Sequence, residues 1–107
     1  MSTQNKTRRQ KLEEFLGQNP NDAFTRYGIA LECLREGDIA GAETHFRILL
    51  QENPDYVPAY QMYAQTLAQQ DRAEEAKALL NKGIAAASRQ GNQHARSEME
   101  GLLAQLG

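Results

Sequence analysis

The chain has 107 residues, of which 24% are charged and 40% hydrophobic, and its formal net charge is −2. Helix formers dominate it, with 15 Ala, 12 Leu, 11 Gln and 10 Glu against 4 Ile and 1 Val, so the sequence predicts one all-α domain and excludes a substantial β-sheet. This charge balance argues against binding to nucleic acid or to an anionic membrane, and the single cysteine excludes an intramolecular disulfide and favours a cytoplasmic location.

The spacing of apolar residues predicts six helices. In chain order they lie at about 7–17, 22–36, 39–52, 57–70, 72–90 and 91–107. Residues 1–6 are polar and basic, lack the apolar run of a signal peptide, and are expected to be disordered. No stretch approaches the roughly 20 apolar residues of a membrane span, so no membrane association is expected.

Capping residues set several of the predicted helix ends. Thr7 and Gln10 have the spacing of a capping box at the start of the first helix. Asp38 follows a glycine that suits a helix C-terminus, and it is expected to cap the third helix. Asp71 and Glu74 have the same capping-box spacing and are expected to cap the fifth helix.

The chain repeats at an interval of about 34 residues. This interval separates Asn19-Pro20 from Asn53-Pro54. Other positions recur at the same interval: Leu12 falls on Phe46 and Leu80, Phe15 on Leu49 and Gly83, Ile29 on Tyr63, Ala30 on Ala64, Cys33 on Leu67, and Ala42 on Ala76. Small residues recur where paired helices must approach closely, and large ones recur where a neighbouring pair supplies a pocket. A period of helix, turn and helix with a length of about 34 residues resembles the tetratricopeptide repeat family.

The resemblance extends over about residues 7–90, with Arg26 at the family's tryptophan position and Ser88 at its proline position as departures. It implies a small free-standing bacterial-type domain with a right-handed α-α superhelix. The expected parts are a disordered segment at 1–6, a half repeat at 7–20, full repeats at 21–54 and 55–90, and a capping helix at 91–107. The last helix carries a single apolar stripe, as the end of a stack requires, formed by Ala95, Met99, Leu102, Leu103 and Leu106.

Residues that could carry catalysis are sparse. His45 and His94 are isolated, and no cluster has metal-ligand or phosphate-loop spacing, so we expect no enzymatic activity, metal or cofactor. Cys33 lies on an apolar stripe and is expected to be a buried apolar residue rather than a redox thiol. A basic cluster near the N-terminus consists of Lys6, Arg8, Arg9 and Lys11. It could contact nucleic acid or an acidic partner, but the favoured interpretation is a solvated chain end.

The second predicted helix is apolar on two sides. Beyond its packing stripe it carries Phe24, Tyr27 and Leu31 on the opposite side, which must be covered by the protein itself or by a partner. The resemblance implies that the first helix of each pair lines a concave groove that binds partner segments. The expected groove residues in the first repeat are Phe24, Tyr27, Leu31 and Arg35. In the second they are Tyr56, Gln61, Gln65 and Gln69. The three glutamines are the repeat counterparts of Tyr27, Leu31 and Arg35.

Three interpretations of this surface remain open. The favoured one is a non-catalytic adaptor or scaffold that binds a peptide or helix of another protein in the groove. An alternative is a homodimer closed by the same apolar surface. A third is that Phe24 and Tyr27 simply pack on a loop or on the first turn of a neighbouring helix. Family members that bind chaperone tails use lysine and asparagine where Tyr27 and Leu31 stand, so that ligand is not expected.

Overall fold

The computed structural model describes residues 6–107, and these form six α-helices. The helices are α1 (Arg8–Gln18), α2 (Ala23–Arg35), α3 (Ile39–Glu52), α4 (Val57–Gln69), α5 (Ala73–Arg89) and α6 (Gln93–Gln105). All six predicted helices are present, with ends that differ from the predictions by at most about two residues. The described residues contain no β-strand, which confirms the all-α class. The disorder expected for 1–6 falls, apart from Lys6, outside the described residues.

The helices form two compact units, with α1, α2 and α3 in the first and α4, α5 and α6 in the second. In the first unit α2 packs against both α1 and α3, and in the second α5 packs against both α4 and α6. The repeat is visible in the bounds, because both ends of α4 are the repeat counterparts of the ends of α2. The helix α5 is longer than α3, as the predicted bounds indicate, with 17 residues against 14. The helix α5 continues through Ser88, where the family has proline.

The core of the first unit lies between α2 and α3. Its fully buried side chains are Ile29, Ala30 and Cys33 on α2 and Ala42, Phe46 and Leu49 on α3. Small side chains alternate with large ones, which lets the two helices approach closely. The predicted burial of Cys33 is confirmed, and burial raises the pKa of its thiol, which disfavours the reactive thiolate.

In the second unit, α5 comes into close contact with α4 and α6 at Gly83. A Cβ atom on Gly83 would lie 2.7 Å from the Cβ atom of Tyr60 on α4 and 2.7 Å from the Sδ atom of Met99 on α6. Met99 is fully buried. Since Leu49 and Phe15 hold this position in the other two copies of the repeat, the glycine makes room for the α6 side chain.

Three helix starts show side-chain capping bonds, and those at α1 and α3 are the predicted ones. Thr7 and Gln10 form a reciprocal capping box at α1. The backbone N–H of Gly41 donates to Asp38 Oδ1 at 2.9 Å at the start of α3, and that hydrogen bond lowers the pKa of Asp38. At α6, Asn92 accepts a hydrogen bond from the backbone N–H of the third helical residue.

The predicted cap at α5 is wrong. The residue that precedes α5 is Arg72, whose side chain forms an ion pair with Glu75, and it makes no side-chain capping bond. Asp71 lies just before it with a φ of 61°, and it is the repeat counterpart of Gly37, whose φ is 82°. The turn after α4 needs a residue in the left-handed region, and aspartate tolerates that conformation better than most residues. Asp71 therefore ends α4 and does not cap α5.

Arg26 and Tyr60, the two residues at the family's tryptophan position, make equivalent bonds. The Arg26 guanidinium donates to the carbonyl oxygen of Pro20 at 3.5 Å, and the Tyr60 hydroxyl donates to that of Pro54 at 2.7 Å. The two pairs have the same separation in the sequence, and in each the side chain is hydrogen-bonded to the loop that precedes its helix. This shared contact explains how arginine can stand where the family has tryptophan.

Candidate functional site

Four of the predicted groove residues lie along one face of α2. Phe24, Tyr27, Leu31 and Arg35 are spaced three or four positions apart, which places them on one side of a helix; we call this surface the α2 face. Phe24 is 75% exposed, more than any other large apolar side chain among residues 6–107. Leu31 is half-buried and Arg35 is exposed. The α2 face therefore has an apolar part followed by a cation.

Tyr27 has a structural role in addition to its place on this face. Its ring lies 6.4 Å from the ring of Phe46 on α3, at an interplanar angle of 55°. Tilted aromatic pairs at this separation are favourable. Tyr27 therefore contributes to the packing of α2 on α3, whereas Phe24 stays largely uncovered.

A buried carboxylate positions Arg35. Glu32 on α2 is 8% exposed, and Arg35 donates to its Oε1 atom from Nε at 3.1 Å and from Nη2 at 2.6 Å. Arg8 of α1 pairs with the other oxygen of the same carboxylate at 3.3 Å. Sequence reasoning did not identify Glu32, although its spacing of three positions from Arg35 was a usable signal. The hydrogen bonds raise the pKa of Arg35, whose side chain is still 68% exposed.

The basic cluster is largely engaged in ion pairs within the first unit. Arg9 of α1 binds Glu36 and Asp38, at 3.0 and 3.1 Å, in the turn that joins α2 to α3. Lys6 pairs with Glu14. Lys6, Arg8 and Lys11 stay exposed, as expected of a solvated chain end, whereas Arg9 is half-buried within its ion pairs.

The predicted glutamines lie along α4 in the second unit. Gln61 donates to Glu98 Oε1 of α6 at 3.1 Å, Gln65 is half-buried, and Gln69 is exposed. Tyr56, directly before α4, is half-buried. Gln61 therefore has an internal partner, whereas the expectation that these residues and the α2 face form one groove stays a prediction.

The two histidines differ in environment. Arg26 donates to His45 Nδ1 at 3.2 Å, and burial beside that guanidinium lowers the pKa of His45. His94 is exposed and lies 3.2 Å from Glu98. Within residues 6–107, no three His, Cys, Asp or Glu side chains are grouped so that they could hold a metal ion. No helix in this part of the chain has the length and apolar character needed to cross a membrane.

Comparison with known proteins identifies the family. Residues 34–106 match the tetratricopeptide repeat, which is more than half of the chain. The chain belongs to the tetratricopeptide repeat family. Domains of this family are generally protein–protein interaction modules and are typically non-catalytic. A search of curated proteins finds no match.

Three solved structures resemble the chain over most of its length. A solution NMR structure of a tetratricopeptide repeat domain protein from Salinibacter ruber is 31% identical, with a TM-score of 0.78 over 81% of this chain and 88% of that one. A crystal structure of a domain protein of the same kind from that organism is 30% identical, with a TM-score of 0.76 over 79% and 96%. A solution structure of a protein from Bordetella parapertussis is 25% identical, with a TM-score of 0.80 over 94% and 88%.

Proposed function

We propose that this tetratricopeptide repeat protein is a non-catalytic adaptor or scaffold that binds a segment of another polypeptide on its α2 face. The observation that carries the proposal is the 75% exposure of Phe24 on a helix whose opposite side is fully buried. Burying a phenylalanine side chain is worth about 1.5–3 kcal/mol, which a bound partner segment would recover. Phe24 is therefore the anchor position of the proposed site.

The arrangement of the α2 face favours a particular kind of segment. From Phe24 to Arg35 the face is about 16 Å long, which an extended or helical segment of modest length can follow. Apolar side chains of the partner would cover Phe24 and Leu31, and a polar or acidic group would meet Arg35. In the second unit, Gln65 and Gln69 of α4 carry amides that both donate and accept, so they suit a peptide backbone. Cys33 is the chain's single cysteine and is a free thiol, which is consistent with a protein that binds its partner in the reducing cytoplasm.

Affinity capture with matched bait variants tests this proposal. The wild-type protein, Phe24→Lys and Gln51→Lys are immobilised and exposed to native lysate, and bound proteins are quantified by mass spectrometry. Gln51 is an exposed residue of α3 outside the α2 face, so its variant gains the same charge at a neutral position. We expect a captured protein that Phe24→Lys loses and Gln51→Lys keeps. Equal capture by all three baits would refute a role for the α2 face.

The exposure of Phe24 also favours a second function, a homodimer closed by the α2 face. Two copies would then cover each other's Phe24 around a two-fold axis. Light scattering over a concentration series distinguishes the two functions, because this dimer would dissociate in Phe24→Lys and persist in Gln51→Lys. A wild-type protein that stays monomeric at high concentration would exclude it.

A further inference from the structure

One guanidinium connects α2, α3 and the loop before α2 in the first unit. Arg26 of α2 donates from Nη1 to His45 Nδ1 of α3 at 3.2 Å, and from Nη2 to the carbonyl oxygen of Pro20 at 3.5 Å. A guanidinium stays protonated and has no acceptor, so His45 Nδ1 must be the acceptor. In this arrangement the His45 ring is therefore neutral and carries its proton on Nε2.

The second unit holds the equivalent loop without a titratable imidazole. There the Tyr60 hydroxyl donates to the carbonyl oxygen of Pro54, and the repeat counterpart of His45 is the apolar Leu79. Burial raises the pKa of Tyr60, so its hydroxyl stays protonated well above neutral pH. The loop before α2 is thus held through a group that titrates near neutral pH, whereas the loop before α4 is not.

The start of α2 lacks the side-chain cap that other helices have. Asp22 precedes α2 but makes no capping bond to its backbone, and its carboxylate accepts a hydrogen bond from the Thr25 hydroxyl instead. The starts of α1, α3 and α6 do have such caps. The bond from Arg26 to Pro20 therefore connects the loop to the first turn of α2, which also carries Phe24.

The charges that act on His45 come from three other elements. Arg26 of α2 and Arg9 of α1 disfavour the imidazolium. Glu13 of α1 and Asp38 in the turn before α3 favour it. No charged residue of α3 lies three or four positions from His45. Burial has the largest effect, and together with the two cations it lowers the pKa of His45, so the neutral ring predominates at pH 7.

We propose that Arg26 and His45 form a pH-sensitive latch, which holds the loop before α2 when His45 is neutral and releases it when His45 is protonated. A proton from solvent adds to Nδ1, so the ring becomes a second cation and no longer accepts from Arg26. Repulsion then moves the guanidinium away from His45. Because a contact of 3.5 Å is at the limit of a hydrogen bond, the bond to the Pro20 carbonyl is lost with it.

Opening of the latch would also weaken binding on the α2 face, an effect that rests on the proposed function. Phe24 lies four positions after Pro20, so release of the loop leaves this anchor position less ordered. The latch itself uses none of the α2 face residues. It can therefore be tested on the free protein, and failure to find a partner for the α2 face would leave that test unaffected.

An NMR titration between about pH 7.5 and 5 tests the latch. At the upper pH, the nitrogen shifts of the His45 ring should show Nδ1 without a proton. The Asn21 N–H belongs to the same peptide group as the Pro20 carbonyl, so its shift should change with the same midpoint as the His45 ring. The amide of Asp55, which follows Pro54 in the second unit, should not follow that midpoint.

Two variants of the latch and one control complete the test. His45→Gln keeps an acceptor but cannot titrate, so the Asn21 transition should be lost. Arg26→Met removes the guanidinium, so the pKa of His45 should rise towards its ordinary value while Asn21 no longer follows the ring. Arg47→Met removes an exposed cation of α3 and should preserve both transitions. Circular dichroism at 222 nm checks that each variant keeps its helix content.

Three results would overturn the latch. The first is a His45 ring that carries its proton on Nδ1 at neutral pH, or stays neutral until the wild type unfolds. The second is a wild-type Asn21 amide that does not follow the His45 ring. The third is an Asn21 transition that persists in His45→Gln.

Discussion

Replacing Gly83 with alanine should destabilise the protein, although the same change usually stabilises a helix. Glycine in a helix interior costs about 1 kcal/mol relative to alanine, so the substitution gains that amount locally. Against this, the new methyl group would lie 2.7 Å from Tyr60 Cβ and from Met99 Sδ. The thioether of Met99 can move aside, but Tyr60 Cβ is fixed to the α4 backbone.

Overpacking of a core costs about 1–3 kcal/mol, which outweighs the helical gain. We therefore expect Gly83→Ala to lower the free energy of unfolding by about 1 kcal/mol, or to lower Tm by about 4–8 °C. The assay is urea and thermal unfolding followed by circular dichroism at 222 nm. In a Met99→Ala background, Gly83→Ala should be less damaging, because the shorter side chain leaves room for the new methyl group.

Gly101→Ala is the matched control. Gly101 is also a helical glycine, but a Cβ atom there would meet nothing within 4 Å. This variant should gain about 1 kcal/mol in the free energy of unfolding, since only helix propensity changes. If Gly83→Ala stabilised the protein as much as Gly101→Ala does, the close approach of α4, α5 and α6 at Gly83 would be refuted.

Three further predictions concern other contacts. Burial beside Arg26 lowers the pKa of His45 in the folded protein, so the unfolded chain binds the proton more readily. The free energy of unfolding should therefore fall as the pH drops below about 6.5. In urea titrations at several pH values, His45→Gln should show a weaker pH dependence than the wild type. An unchanged pH profile in the variant would contradict this role. Asp71→Gly should raise the free energy of unfolding by about 0.5–1 kcal/mol, because glycine adopts a positive φ without strain; a loss of stability would show that the aspartate side chain stabilises the turn. Tyr60→Phe should lower the free energy of unfolding by about 1 kcal/mol, because the hydrogen bond to the carbonyl oxygen of Pro54 is lost. No change in urea unfolding would mean that this bond does not stabilise the protein.

Local and periodic signals predicted most of the fold. The capping box at Thr7 and the cap at Asp38 involve residues three positions apart, so they can be read without tertiary information. The error at Asp71 arose because one short pattern suits both a helix start and a turn. The repeat places Asp71 on Gly37, and that correspondence indicated the correct conformation.

The candidate site was less predictable because tertiary contacts decide its state. Helical spacing alone placed Phe24, Tyr27 and Leu31 on one face, but the packing of Tyr27 against Phe46 depends on how α3 lies on α2. The burial of Glu32 depends in part on a cation from α1, which is distant from it in the sequence. Such long-range contacts leave no periodic trace in a single sequence.

Photo-crosslinking at position 24 tests partner binding most directly. Phe24 is replaced by p-benzoylphenylalanine, which keeps an aromatic ring at the position that is 75% exposed, and Gln51 is replaced in the same way as the control on α3. After irradiation in native lysate, binding through the α2 face predicts a discrete protein adduct from position 24 and none from position 51. Identical adducts from both positions, or none from position 24 when the same partner is captured, would contradict it.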